Sequence, residues 1–173
     1  MFVTSLQIIL SDGWLENTPA VLTEGIVGTA LMTLFMYGLT YLTRRTMKVI
    51  RILGTMLTSS TTPTGRLSDR PLALVVGTLA HFSVGILFSY FFHLLWAMGI
   101  GQPDSIHILL FGLGFGLFGI VVWYLYYRFH PNPPKLYLRS YLFCLLLAHI
   151  VYASGVILTH HWIHIVILPV QPY

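Results

Sequence analysis

Four separate stretches of this chain are apolar for long enough to cross a membrane, and that pattern leaves little choice of fold. They run roughly from Pro19 to Leu42, Leu72 to Met98, Ile106 to Tyr127 and Leu136 to Thr159. At about 1.5 Å per helical residue, each reaches across the roughly 30 Å of hydrocarbon in a bilayer. Only 8% of the 173 residues are charged, far below the about 25% of a soluble domain. The expected fold is therefore all-α and integral to the membrane: one four-helix bundle over residues 1–173, with a cytoplasmic amphipathic segment and loop at 43–71. No soluble domain fits in the remainder, so any chemistry lies in the bundle, at its two faces or in a partner.

All nine Lys and Arg residues fall in two places. Arg44, Arg45, Lys48, Arg51, Arg66 and Arg70 lie between the first and second spans, and Arg128, Lys135 and Arg139 around the third connection. By the positive-inside rule these loops are cytoplasmic, which puts both termini on the non-cytoplasmic side. The net charge of +4 thus sits in membrane-flanking loops rather than on a folded basic face. Anionic lipid, not nucleic acid, is the partner this implies. On a helix, Arg44, Arg45, Lys48 and Arg51 fall within about 120° of one another, opposite Met47, Ile50, Leu53 and Leu57. That pattern predicts a helix in the inner headgroup layer, continuing the first span unbroken to Gly54, with the four cations on lipid headgroups.

Before the first span, "MFVTSLQIIL" is too short to cross and reads as an outer-surface helix. It has no basic n-region, so the N-terminus is expected to be retained. Thr18 as N-cap and Pro19 at the first helical position mark a helix start. "TSSTTPTG" reads as a mobile loop, Pro71 opens the second span, "GIGQPDS" and "HPNPP" are turns, and "HHWIH" carries the fourth span toward the surface. Cys144 stands alone, which excludes an intrachain disulfide.

Small residues predict where helices meet. Gly112, Gly116 and Gly119 share one face of the third span, and Gly25 and Gly28 one face of the first. The third span is accordingly expected at the centre of the bundle or docked on another subunit. "LAHFSVGIL" in the second span is weakly echoed by "LAHIVYASGVIL" in the fourth, a hint of a parallel repeat.

At "EGIVGTALMTLFM", "HFSVGILFSYFF", "LLFGLGFGLFGIVV" and "LLAHIVYASGVIL" the chain resembles small four-helix bacterial inner-membrane proteins of unknown function. The resemblance implies a helical fold and a bacterial inner (plasma) membrane, and it carries no site residues.

Ionisable groups at membrane depth are costly and mark function. Glu24, His81, His93 and His149 qualify. His81 and His149 lie about 15–20 Å in from the cytoplasmic side, at similar heights on spans of the same direction. They are candidate axial ligands of a b-type haem, with Gly77 and Gly85 leaving room for the macrocycle. The plainer reading is a histidine hydrogen-bonded to a neighbouring helix on a small-residue ridge. Near the outer face, His160, His164 and His93 are candidate metal ligands, with His107, Asp104 and Glu24 at the same level. Glu24 reads either as a helix-start acid reaching outer water or as a proton or cation site facing His93. No nucleophile motif, H-E-x-x-H, P-loop or paired carboxylate argues for an enzyme. Sparse internal chemistry favours an accessory or scaffold subunit that packs on other membrane proteins or on copies of itself. The alternatives are a haem- or metal-binding membrane protein and a small ion or proton channel.

Overall fold

A computed structural model of the chain describes residues 13–164, with side chains from residue 18. Among them are α1 (Gly13–Thr43), α2 (Val49–Leu57), α3 (Pro71–Ala97), α4 (Ser105–Phe129) and α5 (Leu138–Trp162), and no strand. Four segments are long and apolar enough to cross a membrane: Thr18–Thr43, Pro71–Ala97, Ser105–Phe129 and Leu138–Trp162. They agree with the expected spans to within a helical turn. The surface helix expected at Met1–Leu10, and the tail beyond His164, lie outside the described residues.

Local chemistry sets most helix ends. Pro71 occupies the first turn of α3, where its missing N–H costs nothing. The Asp104 carboxylate accepts from the His107 N–H at the start of α4. Two expectations fail. Helix α1 begins at Gly13, so Pro19 lies inside it rather than at its start; the proline's φ suits a helix, and it removes a single bond near one end. Helix α1 also stops at Thr43 instead of running to Gly54, because Arg44 turns into the left-handed region at φ 55°. Arg44, Arg45 and Lys48 therefore precede α2, and only Arg51 lies on it. The face of α2 that is buried carries Val49, Ile52 and Met56, whereas Leu57 is exposed.

The helices pack as a row, α4 on α5, α5 on α1, α1 on α3 and α3 on α2. The centre belongs to α5, 56% of whose span is buried, and not to α4, at 22%. Helix α4 has one small-residue face: Gly112 meets the Ile150 backbone, Gly116 meets Leu146 and Gly119 meets His149, all on α5. Helix α5 uses a second face as well, where Gly155 lies against Gly28 of α1. On the other side of α1, Gly25 approaches the Ile86 backbone of α3, and the Thr29 hydroxyl fills the space beside Gly85. The glycines singled out for docking partners are thus occupied within the chain.

Although consecutive, α3 and α4 are joined by rings rather than by backbone contact. Phe88 and Phe92 of α3 pack on Phe111 and Phe115 of α4. At the basic end the loops are tied to one another. The Thr61 hydroxyl donates to Asn132 O (2.7 Å), Lys135 N to Gly65 O (2.8 Å) and His130 Nε2 to Met56 O (2.8 Å). "TSSTTPTG" is therefore fastened to the "HPNPP" turn rather than loose. Of the four cations expected on headgroups, Arg51 pairs with Asp69, and Arg45 donates to Ser140 and lies over the Tyr137 ring. Arg44 is exposed and Lys48 half-buried.

The seating of α2 on α3 is testable through one methyl group. A Cβ at Gly77 would stand 2.1 Å from the Ile50 carbonyl oxygen, whereas one at Gly114 meets nothing within 4 Å. Gly77→Ala should destabilise the detergent-solubilised protein by about 1–3 kcal/mol in denaturant unfolding, and Gly114→Ala by less than about 0.5 kcal/mol. Equal effects would mean that α2 is not held against α3.

Candidate metal centre

Glycines 25, 28, 85 and 155 bring α1, α3 and α5 close together, and at one end of the bundle the three helices present a carboxylate and two imidazoles to one another. Glu24 of α1 is completely buried. Its Oε2 lies 2.6 Å from His93 Nε2 on α3, and its Oε1 lies 2.9 Å from His160 Nδ1 on α5. An ionised carboxylate only accepts, so each oxygen takes an N–H from a different helix. The reading of Glu24 as an acid in contact with outer water is overturned, because the two rings cover it. The alternative placement, facing His93, is the one observed, with His160 added.

The donor atoms of Glu24, His93 and His160 all lie within 4.8 Å of one another. Tetrahedral zinc with ligands at about 2.0–2.1 Å needs donors about 3.3 Å apart, a spacing that small side-chain rotations reach from here. The two imidazole side chains are only 15% and 19% exposed, so the site is sealed on the carboxylate side and open a little at the bundle end. Trp96 packs on both rings, at 4.8 Å from His93 and 5.1 Å from His160 between centroids. Its indole Nε1 is buried and has no hydrogen-bond partner among the described residues, and the same holds for the hydroxyl of Ser89, one turn before His93. Such buried polar groups call for a partner, and a water or an ion beside the three ligands is one that both could reach. Sequence reading missed both, although Trp96 stands i+3 and Ser89 i−4 from His93.

Other candidate residues fall elsewhere. His164 stacks on His160 at 4.3 Å between centroids. Burial, then the neighbouring His160, hold it below the ordinary histidine value. His107 stands with Asp104 as a local helix-start pair, Nδ1 to Oδ1 2.7 Å, and is not part of the Glu24 cluster.

No family model, curated protein or solved structure matches this chain. What the chain does has to be read from its own geometry.

His81 and His149 line a common cavity of about 360 Å³. Thr33 donates its hydroxyl proton to Thr29 O (2.7 Å), so it accepts from His81 Nε2 (3.0 Å). His149 donates from Nδ1 to Leu145 O (2.8 Å). A haem held by His81 and His149 fits poorly here. The outermost ring nitrogen of His81 is already bonded to Thr33. The space beside Gly77 is filled by the Ile50 carbonyl and Gly54, and that beside Gly85 by Thr29. What comes close to these glycines is a neighbouring helix, not a macrocycle.

The helix-start pair gives a pH prediction. The His107 N–H holds the Asp104 carboxyl down to about 2. Since the folded value lies below the unfolded one of about 4, the stabilisation is complete above pH 4 and is lost as pH falls through 2. Asp104→Asn keeps the cap but not the charge. The thermal midpoint of the native protein should fall more steeply than that of the variant between pH 4 and 2; parallel curves would remove Asp104 as the cause.

Proposed function

We propose that this chain is a multi-pass protein of a bacterial inner membrane, with its termini on the non-cytoplasmic side, that binds a zinc-class divalent ion through Glu24, His93 and His160. The observation that carries this reading is the fully buried carboxylate with one imidazole on each oxygen, contributed by three different helices. A carboxylate with no exposed surface is costly to keep charged in an apolar medium, and a divalent cation held between it and the two rings supplies the opposite charge. Two nitrogens and one oxygen suit zinc better than calcium or magnesium, which take oxygen ligands. Three protein ligands leave a fourth position for water, and the Trp96 N–H, which has no partner among the described residues, is a donor for it. With the basic loops inside, the site opens toward the outer face.

The accessory-subunit reading rested on sparse internal chemistry and had the chain pack on partners through its glycine faces. Those faces are occupied inside the chain, and Gly38 and Gly114, which meet open space, stand singly on their helices.

Untagged protein in mild detergent, stripped with chelator and titrated with zinc, should take up about one ion per chain. Glu24→Gln, which keeps the shape but loses the charge and one of the two accepting oxygens, should weaken binding at least about tenfold. His160→Ala should do the same, and His107→Ala should not. Unchanged uptake in Glu24→Gln would overturn the assignment.

A further inference from the structure

Apart from the metal centre, the cavity between α3 and α4 has a chemistry of its own. Its rim residues Val84, Leu87, Phe118 and Val122 are all about half exposed on the apolar flank of the bundle, so the opening faces hydrocarbon. Its floor is buried and polar: Thr29, His81, His149 and Tyr152. Every hydroxyl proton on that floor is already committed. Tyr152 donates to Gly85 O (2.6 Å) and Thr29 to Gly25 O (2.6 Å). Each histidine also gives its one proton away, His81 to Thr33 and His149 to Leu145 O. With tautomers assigned from these partners, His81 Nδ1 and His149 Nε2 carry lone pairs, and neither makes a hydrogen bond among the described residues.

The floor therefore accepts and does not donate. Its walls include the Phe88 and Trp123 rings. Residue 119 is what bares the His149 nitrogen, since a Cβ there would stand 2.9 Å from Cε1 and 3.1 Å from Nε2.

We infer that this cavity binds a lipid-soluble phenol, which enters from the hydrocarbon between α3 and α4 and donates its ring hydroxyl to His149 Nε2 or His81 Nδ1. An apolar approach selects a lipophile, the aromatic walls select a flat ring, and an acceptor floor selects a hydroxyl over an ether, while Trp123 and Tyr126 in the walls carry donors for a second ligand oxygen. A ligand without that donor leaves two buried lone pairs unsatisfied, which is how a polar site rejects the wrong molecule.

The test uses 2-decylhydroquinone and its dimethyl ether with the full-length protein in nanodiscs, measured by equilibrium partition against protein-free discs. The hydroquinone should bind saturably, about one per chain, and about tenfold more tightly than the ether. The ¹⁵N resonance of His149 Nε2 or of His81 Nδ1 should shift on binding. Gly119→Ala, which covers the nitrogen, and His149→Phe, which removes it, should each weaken hydroquinone binding toward the level of the ether. Gly114→Ala, where an added Cβ meets nothing within 4 Å, should leave it unchanged. Equal binding of the two probes would overturn the inference. So would no binding beyond that of empty discs, or histidine resonances that do not move.

Discussion

Close approach of helix backbones holds α1 between α3 and α5, and the rest of the structure follows from that seating. In lipid there is little hydrophobic drive to bring helices together, so contact depends on dispersion and on surfaces smooth enough to touch. Gly28 against Gly155 on one side, and Gly25 against Ile86 on the other, supply those surfaces. Once they meet, a carboxylate about three turns into α1 has no route to water. Its satisfaction has to come from side chains on the helices that cover it, and His93 and His160 are those side chains. The packing that stabilises the bundle is thus also what makes Glu24 a site.

The same glycines explain the gap. Helix α4 has one small-residue face and uses it on α5, so nothing remains to draw its backbone onto α3. Large rings bridge the two helices instead, Phe88 and Phe92 against Phe111 and Phe115. Rings cannot interdigitate as tightly as glycine against backbone, and toward the basic end the cavity opens over His81 and His149.

The spans were legible because length and hydropathy depend on nothing outside the chain. Helix rotation was not. In a soluble bundle an amphipathic stripe shows which side of a helix faces inward, but lipid and protein interior are both apolar, so lipid-facing Leu79 and core-facing Phe92 look alike in sequence. For that reason Glu24 could be placed by depth yet not known to be covered, and His164 entered the candidate ligands on its spacing from His160 while Glu24 was left beside them. The break at Arg44 was hidden for a different cause: nothing but its backbone angle marks it, in a run of residues that a helix would accept. Small residues fared better at naming faces than at ranking helices. The ridge on α4 was visible, whereas the two-sided burial of α5 required knowing that α1 lies on its far side.

Histidine chemistry in this protein is decided by where each ring sends its proton. At the bundle end, His93 and His160 turn a ring nitrogen toward a carboxylate, and with each ring's proton held on its other nitrogen the same two atoms can face one cation that all three groups bind. At midplane, Thr33 and the Leu145 carbonyl take the proton, and what remains toward the cavity is a lone pair. Helix α1 contributes to both arrangements, Glu24 to the first and the Thr29–Thr33 pair to the second. A shift of α1 against α3 would break the contact of Glu24 with His93 and that of Thr33 with His81 at once. The two sites, chemically opposite, therefore depend on the same glycine-set register.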